Sequence, residues 1–365
     1  MNTLKLFKHL VESKSETPND GGLLDFIQEY LDGFEAIRID IEDVKNLFIY
    51  KKFGEGEHLC FAGHVDVVPA GEGWDTNPYE LVEKDGYLFG RGTQDMKSGV
   101  AAFIEAIKNT KEFDGTLSAL LTSDEEGEAT YGTVEVLKYL EKNSLLPDAV
   151  IVAEPTCEES FGDAIKVGRR GSINGYLTLK GKQGHAAYRE KSVNPVHNIA
   201  KILPNIAGIN LDEGDEFFSP SKFVITDIRA GMQVTNVTPS HLDMMFNVRN
   251  TTKTTQKEVT EFVAKNFEGL DYELKLTQGS YPFSTNTDTK LVKKIDKSIQ
   301  KIVGIKPKHS TAGGTSDARF VAPYGIPVIE FGVINDTIHA VNERTTAKEV
   351  QTLCEVFQDL IATWK

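Results

Sequence analysis

Four short apolar runs constrain this chain more than any other feature: Leu59 to Ala62, Leu117 to Thr122, Ala149 to Ala153 and Pro327 to Phe331. Between them lie amphipathic stretches long enough for helices. Met96 to Thr110 carries Val100, Phe103, Ile104 and Ile107 on one face, and Thr133 to Asn143 follows the second run. Strands alternating with helices give the rhythm of βαβ units around a mainly parallel sheet. Leu4 to Glu12 and Ala347 to Trp364 predict further covering helices.

From about Ser172 to Ser280 the pattern changes. It reads as strand 172–180, helix 193–208, strand 222–229, strand 241–249, helix 255–268 and strand 272–280. That βαββαβ order is the ferredoxin-like signature. Because the βα pattern resumes after Thr285, the expected fold is α/β, with a mainly parallel-sheet domain of residues 1–171 and 285–365. A ferredoxin-like α+β domain, residues 172–284, is expected as an insertion in it. A chain of 365 residues has the length of two ordinary domains.

The charge balance narrows the partners. Lys+Arg 40 against Asp+Glu 54 leaves a formal charge of -14, which repels phosphate backbones and anionic lipid. Neither a nucleic-acid nor a membrane partner is expected, since the basic clusters are short, as at Lys166, Arg169 and Arg170. The N-terminal residues lack an uninterrupted apolar region and a small-residue cleavage site, so no signal peptide is predicted and the cytoplasm is the expected compartment. Cys60, Cys157 and Cys354 are widely spaced, without a CxxC pair, and read as reduced and buried.

The chemistry gathers where the predicted strands end. In open α/β sheets, ligands bind outside the carboxyl ends of the strands. After the first run comes Gly63-His64-Val65-Asp66, after the second Ser123-Asp124-Glu125-Glu126-Gly127, and after the third Glu154-Pro155-Thr156. Asp95 stands just before a helix in Gly90-Arg-Gly-Thr-Gln-Asp-Met-Lys97, and Ile338-His339-Ala-Val-Asn-Glu343 follows the last strand. Strand alternation puts His64 and Asp66 on one face, so the Asp66 carboxylate could fix the imidazole tautomer while the other nitrogen binds a metal. Successive carboxylates at a strand end repel one another unless a cation sits among them. Each residue alone also fits a bland role: a core histidine, a helix cap, a solvated acidic turn. Their convergence on one sheet edge favours a metal, and an imidazole and carboxylate donor set suits Zn, Mn or Co. No GxSxG elbow, phosphate loop, HExxH or GxGxxG motif is present, which leaves metal-assisted hydrolysis.

These motifs resemble the zinc-dependent aminoacylase and exopeptidase superfamily, and within it the succinyl-diaminopimelate desuccinylase family. The carriers are Gly63-His-Val-Asp-Val-Val-Pro69, the 90–97 and 122–127 segments, Glu154-Pro-Thr156, Lys166-Val-Gly-Arg-Arg-Gly-Ser172, Gly184-His-Ala-Ala-Tyr188, Gly313-Gly-Thr-Ser-Asp317 and Ile338-His339. The resemblance implies two Zn2+ per subunit, with Co2+ able to substitute, Asp95 bridging them, His64 and Glu154 on one ion, and Glu126 and His339 on the other. It implies catalytic roles for Glu125, as general base to a metal-bound hydroxide, and for Asp66. It further implies a homodimer whose inserted domain acts as lid and dimerisation surface, with His185 of the neighbouring subunit stabilising the oxyanion.

The implied substrate is a small N-succinyl amino acid, N-succinyl-LL-diaminopimelate, in bacterial lysine and diaminopimelate biosynthesis. The implied contacts are Arg169, Arg170, Ser172, Tyr188, Asn236, Arg249 and Thr315. Acetylornithine deacetylase, or another aminoacylase or exopeptidase, is the alternative. The chain departs from the family pattern at Arg189, where Pro is usual, and at Ala318, where Gly is expected. The residues alone do not say which of Glu125 and Glu126 is ligand and which is base.

Overall fold

The four apolar runs occupy the middle of an eight-stranded sheet. In the computed structural model, which describes residues 2–365, the strands used below are β1 (Glu35–Arg38), β2 (Asn46–Lys52), β3 (His58–His64), β4 (Thr116–Thr122), β5 (Ala149–Val152), β6 (Ala164–Lys166), β7 (Ser172–Lys180), β8 (Phe223–Ala230), β9 (His241–Val248), β10 (Tyr272–Ser280), β11 (Lys308–Ser310) and β12 (Val328–Glu330). The helices used are α1 (Thr3–Glu12), α2 (Leu23–Tyr30), α3 (Lys97–Asn109), α4 (Thr133–Lys142), α5 (Pro195–Ile206), α6 (Gln256–Asn266), α7 (Lys290–Ile302), α8 (Ala318–Val321) and α9 (Ala347–Thr363).

The sheet runs β1-β2-β4-β3-β5-β12-β6-β11. Its central four strands are mutually parallel and almost wholly buried. Covering helices on both faces explain why their sequences read as continuous apolar runs rather than alternating ones. The flanks break the parallel pattern, since β2 pairs antiparallel with β4 and with β1, and β6 antiparallel with β12. The sheet is therefore mixed, and mainly parallel at its centre.

Helix α3 packs against α1 and α9. Beneath it the Phe61 ring of β3 meets Phe103 at 5.8 Å and Phe357 at 5.0 Å, which ties strand to helices through aromatic contact. A glycine sets the depth of this packing: a Cβ at Gly99 would lie 2.1 Å from the Ala153 carbonyl oxygen, so only glycine lets α3 approach the end of β5.

The structure divides into two units. One comprises the chain up to Gly168 with Ser284–Ser310 and Ser316–Lys365; the other is Arg169–Phe283 with Thr311–Thr315. Both borders fall a few residues from 171/172 and 284/285. Thr311–Thr315 groups with the insertion, whereas the sequence predicts 285–365 as one piece of the larger domain. Polar contacts explain the difference: Arg169 Nη1 donates to Ala312 O at 2.8 Å, and Thr311 Oγ1 bonds to Phe217 O. Such contacts leave no apolar periodicity to read.

The inserted unit follows β7-α5-β8-β9-α6-β10, with antiparallel sheet order β8-β9-β7-β10. One sheet face and both helices enclose a core of Ile173, Leu177, Ile199, Ile206, Phe223, Met244, Phe246, Val259 and Phe267. Gly175 pairs across from Phe246, whose ring lies over it; a Cβ there would sit 2.0 Å from Cζ. Helix α6 starts with a reciprocal cap between Thr255 and Glu258.

All three cysteines are free and buried. Among the described residues no helix is long and apolar enough to cross a membrane.

Candidate metal centre

Parallel strands that share a direction deliver their following loops to one edge, and the predicted ligands meet there. His64 is the last residue of β3, Glu125 and Glu126 follow β4, and Glu154 follows β5. Asp95 precedes α3, and His339 lies in the turn between β12 and α9. The decisive geometry is at Asp95. Its Oδ1 lies 3.1 Å from His64 Nε2, which is 3.8 Å from Glu154 Oε1. Its Oδ2 lies 3.3 Å from His339 Nε2, which is 3.0 Å from Glu126 Oε1. One carboxylate thus faces two separate His and Glu pairs, one with each oxygen.

The histidine tautomer is set by the backbone. His64 Nδ1 lies 2.8 Å from the Asp66 carbonyl oxygen, which can only accept, so Nδ1 donates there and Nε2 is the nitrogen left facing Asp95 and Glu154. The structure adds this backbone contact to the expected carboxylate one. The Asp66 carboxylate is 3.5 Å from Nδ1 at Oδ1, while its Oδ2 accepts the Glu126 N–H at 3.1 Å. The chain turns after His64 and presents the carbonyl of residue 66 to the ring. The side chain thus stands between the ring, at Oδ1, and the loop that carries Glu126, at Oδ2.

The carboxylates here are crowded and shielded from water. Burial pushes the carboxyls of Glu154 and Glu125 well above the usual range, with neighbouring carboxylates adding to the rise. Glu126 is raised by burial too, against the lowering effect of its bond with His339. Burial would lower His64, but the surrounding carboxylates of Asp66, Asp95 and Glu154 more than reverse that. Bonds with Asp95 and Glu126 raise His339 to about 10. Asp95 goes the other way: burial raises it, and the bonds from His339 and His64 bring it well below the usual carboxylate range. Carboxylates packed this closely are costly until positive charge is placed among them.

The three acidic residues after β4 separate by environment. Asp124 turns away, its Oδ2 accepting the N–H groups of Thr130 and Tyr131 at 2.8 and 3.0 Å, so it shapes the loop. Glu126 pairs with His339. Glu125 groups with His64 and Glu154, all with donor atoms within 4.8 Å.

Two buried groups were not singled out in the sequence. Asp317, in the quoted Gly-Gly-Thr-Ser-Asp segment, receives a 2.6 Å bond from Thr133 Oγ1 and is pushed up to about 6, chiefly by burial. Lys97 is buried with Nζ donating to Ser13 O at 3.0 Å. Only the second had a readable signal, a lysine in an otherwise apolar helix start.

The remaining candidates lie in the inserted unit. His185 is exposed on a short strand pair, Gly184–His185 with Val237–Thr238, and its Nδ1 accepts the Ala187 N–H at 3.1 Å. The Tyr188 ring stands 5.7 Å from it, and Asn236 O accepts the Ala186 N–H at 2.9 Å. His185, Tyr188 and Asn236 therefore share one surface. Ser172 Oγ accepts from Asn247 Nδ2 at 2.9 Å, and Arg249 follows Val248, the partner of Ile173. Arg169 is buried against the Thr311–Thr315 piece, Arg170 is half-buried, and Thr315 Oγ1 is buried.

A model of Peptidase family M20/M25/M40 matches residues 60–363. The chain belongs to that family. Among M20/M25/M40 relatives, the succinyl-diaminopimelate desuccinylase of Sulfurimonas denitrificans is 74% identical over 100% of both chains. The desuccinylase of Nitratiruptor sp. is 62% identical, again over 100% of both. The fold is shared with an aminopeptidase PepT from Bacillus cereus, at TM-score 0.81 and 20% identity over 99% of this chain and 97% of that one. It is shared also with the Bacillus subtilis YxeP protein, described as a dinuclear metal binding peptidase, at TM-score 0.72 and 15% identity over 98% of this chain and 96% of that one.

The donor set of this M20/M25/M40 chain fits two divalent ions. Ligands held about 2.0 to 2.2 Å from a tetrahedral ion stand roughly 3.3 to 3.6 Å apart. The His and carboxylate separations of 3.0 to 3.8 Å bracket that range.

Proposed function

We propose that the chain hydrolyses N-succinyl-LL-diaminopimelate to succinate and LL-diaminopimelate, a step of bacterial lysine and diaminopimelate biosynthesis. The observation that carries the chemistry is Asp95, whose two oxygens face different His and Glu pairs. Relatives 61% to 74% identical and named for this reaction support the substrate.

His64, Asp95 and Glu154 would hold one zinc ion, and Asp95, Glu126 and His339 the other, with cobalt as a working substitute. Bound there, the pair supplies an acidified water and a polarised carbonyl. Glu125 would accept a proton from water on its carboxylate as the water oxygen bonds to the amide carbon, and would deliver it to the nitrogen as the C–N bond breaks, so one group serves as base and then acid. Asp66 acts through others: its carbonyl orients His64 and its carboxylate holds the Glu126 loop.

We assign substrate contacts to Arg169, Arg170, Ser172, Tyr188, Asn236, Arg249 and Thr315, since arginine forks match carboxylates. The working form is a cytoplasmic homodimer in which His185 of the partner subunit stabilises the oxyanion.

The test is hydrolysis of N-succinyl-LL-diaminopimelate by protein stripped with chelator and titrated with zinc. Activity should rise with zinc and exceed that on acetylornithine in kcat/KM. Deacetylation without desuccinylation would move the assignment to the alternative.

A further inference from the structure

Two of the proposed ligands stand on loops rather than on regular elements. Asp95 ends the 90–95 loop, and His339 sits half-exposed in a turn at φ +58°, its ring held only through Nε2 to Asp95 and Glu126 among the described hydrogen bonds and ion pairs. A dimetal site tolerates displacements of only about 0.5 Å, so something must hold these loops in register.

The structure shows what does. Glu343, fully buried, faces the 90–95 loop with its whole carboxylate. Oε1 accepts the N–H of Gln94 at 2.7 Å and of Asp95 at 3.1 Å. Oε2 accepts the N–H of Gly92 at 3.0 Å and Arg91 Nη1 at 2.8 Å. The Glu343 carbonyl accepts the Gly90 N–H at 3.1 Å. Arg91 then reaches back: the same Nη1 donates to Ala340 O, next to His339, at 3.1 Å, and Nη2 to Ala70 O at 3.1 Å. Gln94 adds another stitch, with Nε2 donating to Asp336 Oδ1 at 2.6 Å and Oε1 accepting the Thr337 N–H at 2.9 Å.

We infer that the buried Arg91–Glu343 pair is a positioning device that fixes the Asp95 loop against the His339 turn, and so sets the second metal pocket. A stability role alone would call for an apolar pair of similar volume, which is usually as good or better in a protein interior. What the ion pair adds is direction. A carboxylate with two oxygens matches four converging donors, and one of those donors is the N–H of the bridging residue. Groups that orient metal ligands typically change metal affinity or activity 10- to 100-fold when altered.

The experiment measures metal affinity directly, by zinc titration of the stripped full-length protein against a chromophoric chelator. A glutamine at 343 keeps one acceptor oxygen but turns an NH2 group toward the Gly92 N–H and Arg91. In Glu343→Gln the second zinc should bind about 10- to 100-fold more weakly and the first near normally. The visible spectrum of the cobalt form should lose the second-site contribution. The kcat should recover with excess zinc while KM stays unchanged.

Glu343→Gln that melts lower yet binds two zinc ions with wild-type affinity would make the pair merely structural and overturn the inference. If that variant does not fold, Arg91→Lys decides: it keeps the charge but loses the fork to Ala340 and Glu343. Weaker second-ion binding supports the inference, and wild-type binding overturns it. The inference rests on the dimetal reading, and a wild-type protein that binds no second ion would defeat that reading first, before any variant is compared.

Discussion

Replacing Glu125 with glutamine separates proton transfer from metal binding. Among the described residues the Glu125 side chain takes part in no hydrogen bond, so the amide breaks none. The substitution also removes a carboxyl that burial and the neighbouring Asp317, Glu126 and Asp95 push toward neutrality. The metal-free protein should therefore melt at the wild-type temperature or slightly above it. Turnover should collapse. A positioned base contributes about 10²- to 10⁴-fold, and at 1.36 kcal/mol per tenfold the barrier should rise by about 2.7 to 5.4 kcal/mol. The assay pairs steady-state hydrolysis of N-succinyl-LL-diaminopimelate with metal content by atomic emission. The reasoning requires two ions per chain and a loss confined to kcat. Turnover within tenfold of wild type would refute Glu125 as the base. Loss of one ion would show that Glu125 is a ligand and that its division of labour with Glu126 is reversed.

Other expectations follow from single contacts. His339→Ala should retain one zinc, held by His64, Asp95 and Glu154, and lose the other, read as stoichiometry falling from two to one. Gly175→Ala drives a methyl into the Phe246 ring and should destabilise the inserted unit by about 1 to 3 kcal/mol, measured by thermal unfolding. Asp212 accepts bonds from Gly214, Ser221, Thr251 and Thr254; burial raises its carboxyl, and these bonds bring it well below the usual range. Its folded value lies under its unfolded one, so its contribution is complete above about pH 4 and disappears as pH falls through the folded value. Asp212→Asn should accordingly cost stability at pH 7, and the gap to wild type should close in acid denaturation below pH 4.

Particular residues show how far the sequence could be read. The central strands β3, β4, β5 and β12 were legible because burial on both faces forces continuous apolar runs. Strands β1, β6 and β11 were not, being short and without such a run, and β2, whose run Leu47 to Tyr50 lies on the antiparallel flank, was not read either. Helix α2, in a segment dense in Gly and Asp, was likewise not read. The ferredoxin-like insertion was legible element by element, since its strands alternate and its helices keep one apolar face.

In the site, His64, Glu125, Glu126 and Glu154 were visible as polar residues ending apolar strands, a pattern costly without a function. The spacing in sequence could not show which oxygen of Asp95 meets which histidine, because that depends on two loops about 250 residues apart meeting over the sheet. Nor could it show that the carbonyl of Asp66 joins its carboxylate at His64 Nδ1. Backbone groups are the same at every position, and only the path of the chain decides where they point. Local chemistry along the sequence determined what the strands are and which side chains stand at their ends. Tertiary structure alone decided how those side chains pair, because long-range contacts such as Glu343 with the 90–95 loop arise from chain reversals that no local pattern encodes.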